Sequence, residues 1–89
     1  MKRHGTHPSI IQRLRRAEGH LRTTVAMLEE GRSCLELAQQ LHAVERAIGA
    51  AKKALIHDHI DNCLEAAGDS PSKASRATLD EFKRISRYL

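Results

Sequence analysis

Apolar residues recur every three or four positions along most of this chain, and no proline interrupts the longest such run. From Leu35 through Ala38, Leu41, Val44, Ile48 and Ala51 to Leu55 the spacing keeps the helical period. That pattern demands a long helix with one face covered by something else. The material for covering it is scarce. Of 89 residues only Phe82 and Tyr88 are aromatic and none is tryptophan, so a core must come from Leu, Ile, Val and Ala. A chain this short buries only about 60–65% of its unfolded surface. Such a core is thin for a monomer, and self-association is expected from the outset. Alanine, leucine, arginine, glutamate and lysine dominate, which favours helices and excludes a β-sandwich.

Two further helices flank the long one. Pro8 and Ser9 give a start signal, and Ile10, Ile11, Leu14, Ala17, Leu21, Val25 and Leu28 form an amphipathic stripe ending near Glu30 and Gly31. The connection Gly31-Arg32-Ser33 is short, as antiparallel neighbours require. Ser33 with Glu36 forms a capping-box pattern at the start of the second helix. That helix is expected to run to Ala67, before the loop Gly68-Asp69-Ser70-Pro71-Ser72. A third helix from about Ser75 turns Leu79, Phe82 and Ile85 inward, and Tyr88-Leu89 close the chain. Mid-way along the second helix, Ala47, Gly49, Ala50, Ala51 and Ala54 are small enough to let another backbone approach. The organisation is all-α: a flexible basic arm over residues 1–8 and a single helical domain over 9–89.

Charge is unevenly spread. The first 24 residues hold six basic residues against Glu18 alone, a balance of +5, whereas the remainder carries −1. A basic arm on a near-neutral body fits a polyanion, most simply nucleic acid; a solvated helix face is the competing reading. No apolar run approaches the roughly 18 residues of a membrane span and nothing resembles a signal peptide. The expectation is a cytoplasmic protein without membrane contact. In a reducing compartment two cysteines point to metal or redox chemistry.

Cys34, His59 and Cys63 are the chemically informative set. His59 and Cys63 are four residues apart, on one face of a helix. Cys34 precedes them by 25 and 29 residues, phase offsets of about −20° and +20° at 100° per residue. All three share a face, yet Cys34 stands roughly 37 Å from His59 along one straight helix at 1.5 Å per residue. An antiparallel second copy, crossing near Ile48 and Gly49, places its Cys34 beside His59 and Cys63 and creates two equivalent sites. Two thiolates and an imidazole suit Cu(I) in trigonal geometry, whereas Zn(II) wants a fourth ligand. The competing reading is two buried thiols and a surface imidazole. His57 is about 200° from His59 and points elsewhere. There is no glycine-rich phosphate loop, paired-carboxylate pocket or activated nucleophile, and little concavity for a substrate or organic cofactor. An enzyme is not expected.

Taken together, Arg13-Leu14-Arg15-Arg16-Ala17-Glu18-Gly19-His20, Cys34 with Gln40-Leu41-His42-Ala43-Val44, and His57-Asp58-His59-Ile60-Asp61-Asn62-Cys63 resemble the CsoR/RcnR family of bacterial repressors. The resemblance implies three-helix subunits forming an antiparallel four-helix-bundle homodimer that pairs into a homotetramer. It implies a copper site at Cys34, His59 and Cys63, with Cys34 from the partner chain, and an acidic residue behind the site at Glu81. The tyrosine that precedes the first cysteine in one type is Ser33 here. Operator DNA is met, by resemblance, at Arg13 and Lys53, with Arg15, Arg16 and Lys52 nearby, and is released when metal binds. Nickel and cobalt sensors of the family add N-terminal ligands, for which His4 and His7 are the nearest candidates. Formaldehyde sensors carry proline where Lys2 stands, and persulfide sensors lack the histidine. Cu(I) is therefore the expected inducer, with Ni(II), Co(II), Zn(II), formaldehyde or reactive sulfur species as alternatives. A metal-buffering protein that never touches DNA is the rival from another class.

Overall fold

A computed structural model describes residues 7–69 and 73–89, with the side chains of 63–69, 73–75 and 78 outside the description. It contains α1 (Pro8–Glu29), α2 (Cys34–Asp69), α3 (Lys73–Ile85) and a terminal 3-10 turn (Ser86–Tyr88). Among the described residues there is no strand. Helix α2 runs two residues past the expected end, through Gly68, and α3 begins two residues early. His4 and most of the basic arm, together with Ser70, Pro71 and Ser72, lie outside the described residues.

The ends of α1 and α2 follow from local chemistry. Gly31 takes a left-handed φ of 79°, which a residue without Cβ adopts at no steric cost. Its N–H donates to the Leu28 carbonyl at 3.1 Å, and the Arg32 N–H donates to the Met27 carbonyl at 3.1 Å. These two bonds satisfy carbonyls that the end of α1 would otherwise leave open, the Schellman pattern. Two residues on, the Ser33 hydroxyl accepts from the Glu36 N–H at 3.1 Å and closes the start of α2. Arg32 Nη2 donates to Glu36 Oε2 at 2.9 Å, and Arg32 Nη1 lies 3.5 Å from Glu30 Oε1. The Arg32 guanidinium holds the Glu36 carboxyl below its ordinary value, and Ser33 adds to the effect.

Two compact units are present, one over residues 8–51 and one combining 1–7 with 52–89. In the first, the buried residues fall at seven-residue intervals: Ile10, Ala17 and Thr24 on α1, and Leu37, Val44 and Ala51 on α2. His20 Nε2 donates to Gln40 Oε1 at 2.6 Å and fixes the antiparallel register. In that register Ile10 opposes Ala51, Ala17 opposes Val44 and Thr24 opposes Leu37. Thr24 is only 4% exposed, and its hydroxyl is satisfied by the His20 carbonyl at 2.9 Å, so burial leaves no orphaned donor.

This seam is narrower than the apolar stripes of the sequence. Ile11, Leu14, Leu21, Val25 and Leu28 on α1 stay exposed, as do Leu35, Leu41, Ile48 and Leu55 on α2. A two-helix contact covers one line of side chains on each helix, and the second line remains open. In the other unit Ile56 is buried and Ile85 half-buried, while Leu79 and Phe82, expected to face inward, are exposed. A 13-residue helix offers too little apolar area to cover all three positions in a single chain.

Candidate metal centre and nucleic-acid interface

Cys34 is the first residue of α2, exposed and unoxidised. At seven-residue steps from it come Leu41, Ile48 and Leu55, 50%, 45% and 43% exposed; His59 and Cys63 follow at steps of four. By helical phase Cys34 and His59 share one face of α2, with an uncovered apolar line between them. The Cys63 side chain lies outside the described residues. Among the described residues no group of three His, Cys, Asp or Glu side chains converges as a metal site would require.

His59 is drawn inward, with its side chain 16% exposed, and its Nε2 lies 3.6 Å from Glu81 Oε1 on α3. The carboxylate thus stands on the Nε2 side of the ring, the arrangement in which a metal-binding imidazole uses Nδ1. His59 also lines a cleft of about 380 Å3 with His7, Lys52, Leu55, Ile56, Ile85 and Tyr88. His7, with a left-handed φ of 36°, places Nδ1 2.9 Å from Asp58 Oδ2. The structure thus brings His7, His59 and Glu81 to one region. It adds Asp58 and Tyr88, which periodicity had no means of finding, because the His7–Asp58 pair joins positions 51 residues apart.

The basic side chains Arg13, Arg15, Arg16, Lys52 and Lys53 are all exposed. None makes an ion pair among the described residues, whereas Arg22 leans toward Glu18 at 4.0 Å. Around α1, Arg13 and Arg16 stand on the side of the seam where His20 meets Gln40. Arg15 and Arg22 stand on the other side, next to the open apolar line. No described helix is long and apolar enough to cross a membrane.

Comparison with known proteins extends this picture. A family described as metal-sensitive transcriptional repressors matches residues 6–87. The chain is 35% identical over 57 residues to the copper-sensing transcriptional repressor CsoR of Mycobacterium ulcerans (strain Agy99), covering 64% of this chain and 49% of that protein. It is 33% identical over 81 residues to CsoR of Bacillus subtilis (strain 168), covering 88% and 79% of the two chains. The solved structure of the nickel-responsive transcriptional regulator InrS superposes with a TM-score of 0.82 at 30% identity, over 93% of this chain and 92% of the other. The chain spans about half the length of the mycobacterial CsoR proteins it matches.

Proposed function

The chain belongs to the family of metal-sensitive transcriptional repressors, and from that premise we propose that it is a Cu(I)-responsive repressor that binds operator DNA without metal and releases it when metal binds. The family is one of repressors and not of enzymes. The reading rests most on His59, half-buried with Glu81 3.6 Å behind its Nε2 and on one helical face with both cysteines. Cys34 and Cys63 bind as thiolates and His59 as a neutral imidazole through Nδ1, a donor set suited to a soft monovalent ion. A second copy of the chain supplies Cys34 and covers Leu41, Ile48 and Leu55, giving a homodimer that pairs into a homotetramer. The copper-sensing names of the relatives point the same way.

Operator DNA meets Arg13, Arg16, Lys52 and Lys53, none of which makes an ion pair among the described residues, while Arg15 stands on the other side of the seam. Metal and DNA oppose each other because they favour different arrangements of the same helices, and the coupling is reciprocal. A second reading is favoured by His7: it lines the His59 cleft, and Asp58 at its Nδ1 orients the ring as a ligand-supporting carboxylate does. With His7 added, the site has a fourth donor and suits Ni(II), Co(II) or Zn(II).

Fluorescence anisotropy with the promoter of its own gene, under reducing and metal-free conditions, tests the proposal. The full chain binds, and Cu(I) releases it. Cys34→Ala binds equally well without metal and loses the response to Cu(I). His7→Ala leaves a Cu(I) response intact but removes one to Ni(II). No binding by the metal-free protein would overturn the repressor reading in favour of a metal buffer.

A further inference from the structure

Within the unit over residues 8–51 the two sides of the helical pair differ in charge. The side marked by the His20–Gln40 bond presents Arg13 and Arg16 from α1, and no acidic residue of α1 shares it: Glu18 and Glu29 fall on the opposite side at 100° per residue. Across the seam on α2 the same side is paved by Ala43, Ala47 and Ala50, side chains too short to stand in front of a flat partner. Its acidic member, Glu36, is at the connection and already engaged by Arg32 at 2.9 Å.

Arg46 completes this side. In the register fixed by His20 and Gln40, Arg16 is level with Glu45 and so within one residue of Arg46. Arg46 stands at the outer edge of α2, exposed and without an ion pair among the described residues. The nearest carboxylate in sequence, Glu45, is turned about 100° away and lies 3.8 Å from His42.

We propose that Arg46 is a further phosphate-contacting residue, joined with Arg13 and Arg16 across the Ala43-Ala47-Ala50 floor into one surface that takes the backbone of duplex DNA, its acidic member Glu36 being already engaged by Arg32. This rests on the repressor reading, and the test separates the two. The salt dependence of binding to the promoter duplex is measured by anisotropy for the full chain and its variants, metal-free and reduced. A lost phosphate contact lowers the slope of log affinity against log salt by about 0.9. Arg46→Ala is expected to do so, with a deficit about three- to fourfold larger at 50 mM than at 200 mM salt. Arg46→Lys restores the slope. Arg22→Ala, on the other side of α1, leaves it unchanged, and thermal melts of all variants coincide. An unaltered slope for Arg46→Ala, with Arg16→Ala weakened, overturns the assignment of Arg46 alone. Absence of binding by the wild-type chain overturns the repressor reading and this inference with it.

Discussion

Gly31 holds the turn between α1 and α2 in a conformation that side chains rarely take, with φ at 79°. No heavy atom lies within 4 Å of a Cβ built there, so the cost of a substitution is backbone strain and not crowding. Gly31→Ala is expected to destabilise by roughly 1–2 kcal/mol, read as a lower melting temperature with unchanged helicity. Glu36 answers to pH. Its carboxyl is held below the ordinary value by Arg32, so its contribution is complete above the unfolded value near 4.5. It is lost as pH falls through the lower folded value. Glu36→Gln should lower stability at neutral pH, where the contribution is complete, and approach wild type as pH falls below about 4.5, so that the acid limb flattens; an identical acid limb in wild type and variant would refute this. Both residues were readable in advance, because caps and turns are written in contiguous sequence. The His7–Asp58 pair and the buried hydroxyl of Thr24 were not. The pair joins segments brought together only by folding, and Thr24 sits in phase with Ile10 and Ala17 but is polar, so an apolar stripe passes it over.

The helical elements themselves were legible to within about two residues, since period, glycine and serine caps all agree. What periodicity blurred was the number of stripes. Helix α2 bears two apolar lines, one through Leu37, Val44 and Ala51 and one through Leu41, Ile48 and Leu55, and a three-or-four spacing passes through both. The first line meets α1, and its register predicts compensation. Ala17→Leu should overpack the seam by about 1–3 kcal/mol, and Val44→Ala should open space in it. The double variant should recover part of the loss, with a coupling of about 0.5–3 kcal/mol for residues in contact. Strict additivity in urea melts would show that Ala17 and Val44 do not oppose each other.

For the molecule as a whole, the second line of α2 carries the expectation of self-association. A charged residue at Ile48, as in Ile48→Glu, should shift the chain toward monomer in light scattering while leaving the α1–α2 seam folded. The Cu(I) response should disappear with the dimer, because the proposed site takes its Cys34 from another copy. Metal binding should also weaken as pH falls, because protons compete for two thiolates and an imidazole. The proposed ligands Cys34, His59 and Cys63 were read from the sequence as phase alone. The cleft with Tyr88 and Lys52 was not, because it depends on how the end of the chain returns to α2.

The layered seam of residues 8–51 also constrains how genes for such a chain can lengthen or shorten. Its three layers lie seven residues apart on both helices. One inserted or deleted codon between Ile10 and Thr24, or between Leu37 and Ala51, turns every layer beyond it by about 100°. In a library of single-codon insertions and deletions, survivors should therefore gather before Ile10 and in the connection between the helices. The interior of the hairpin should tolerate replacement of residues far better than any change in their number.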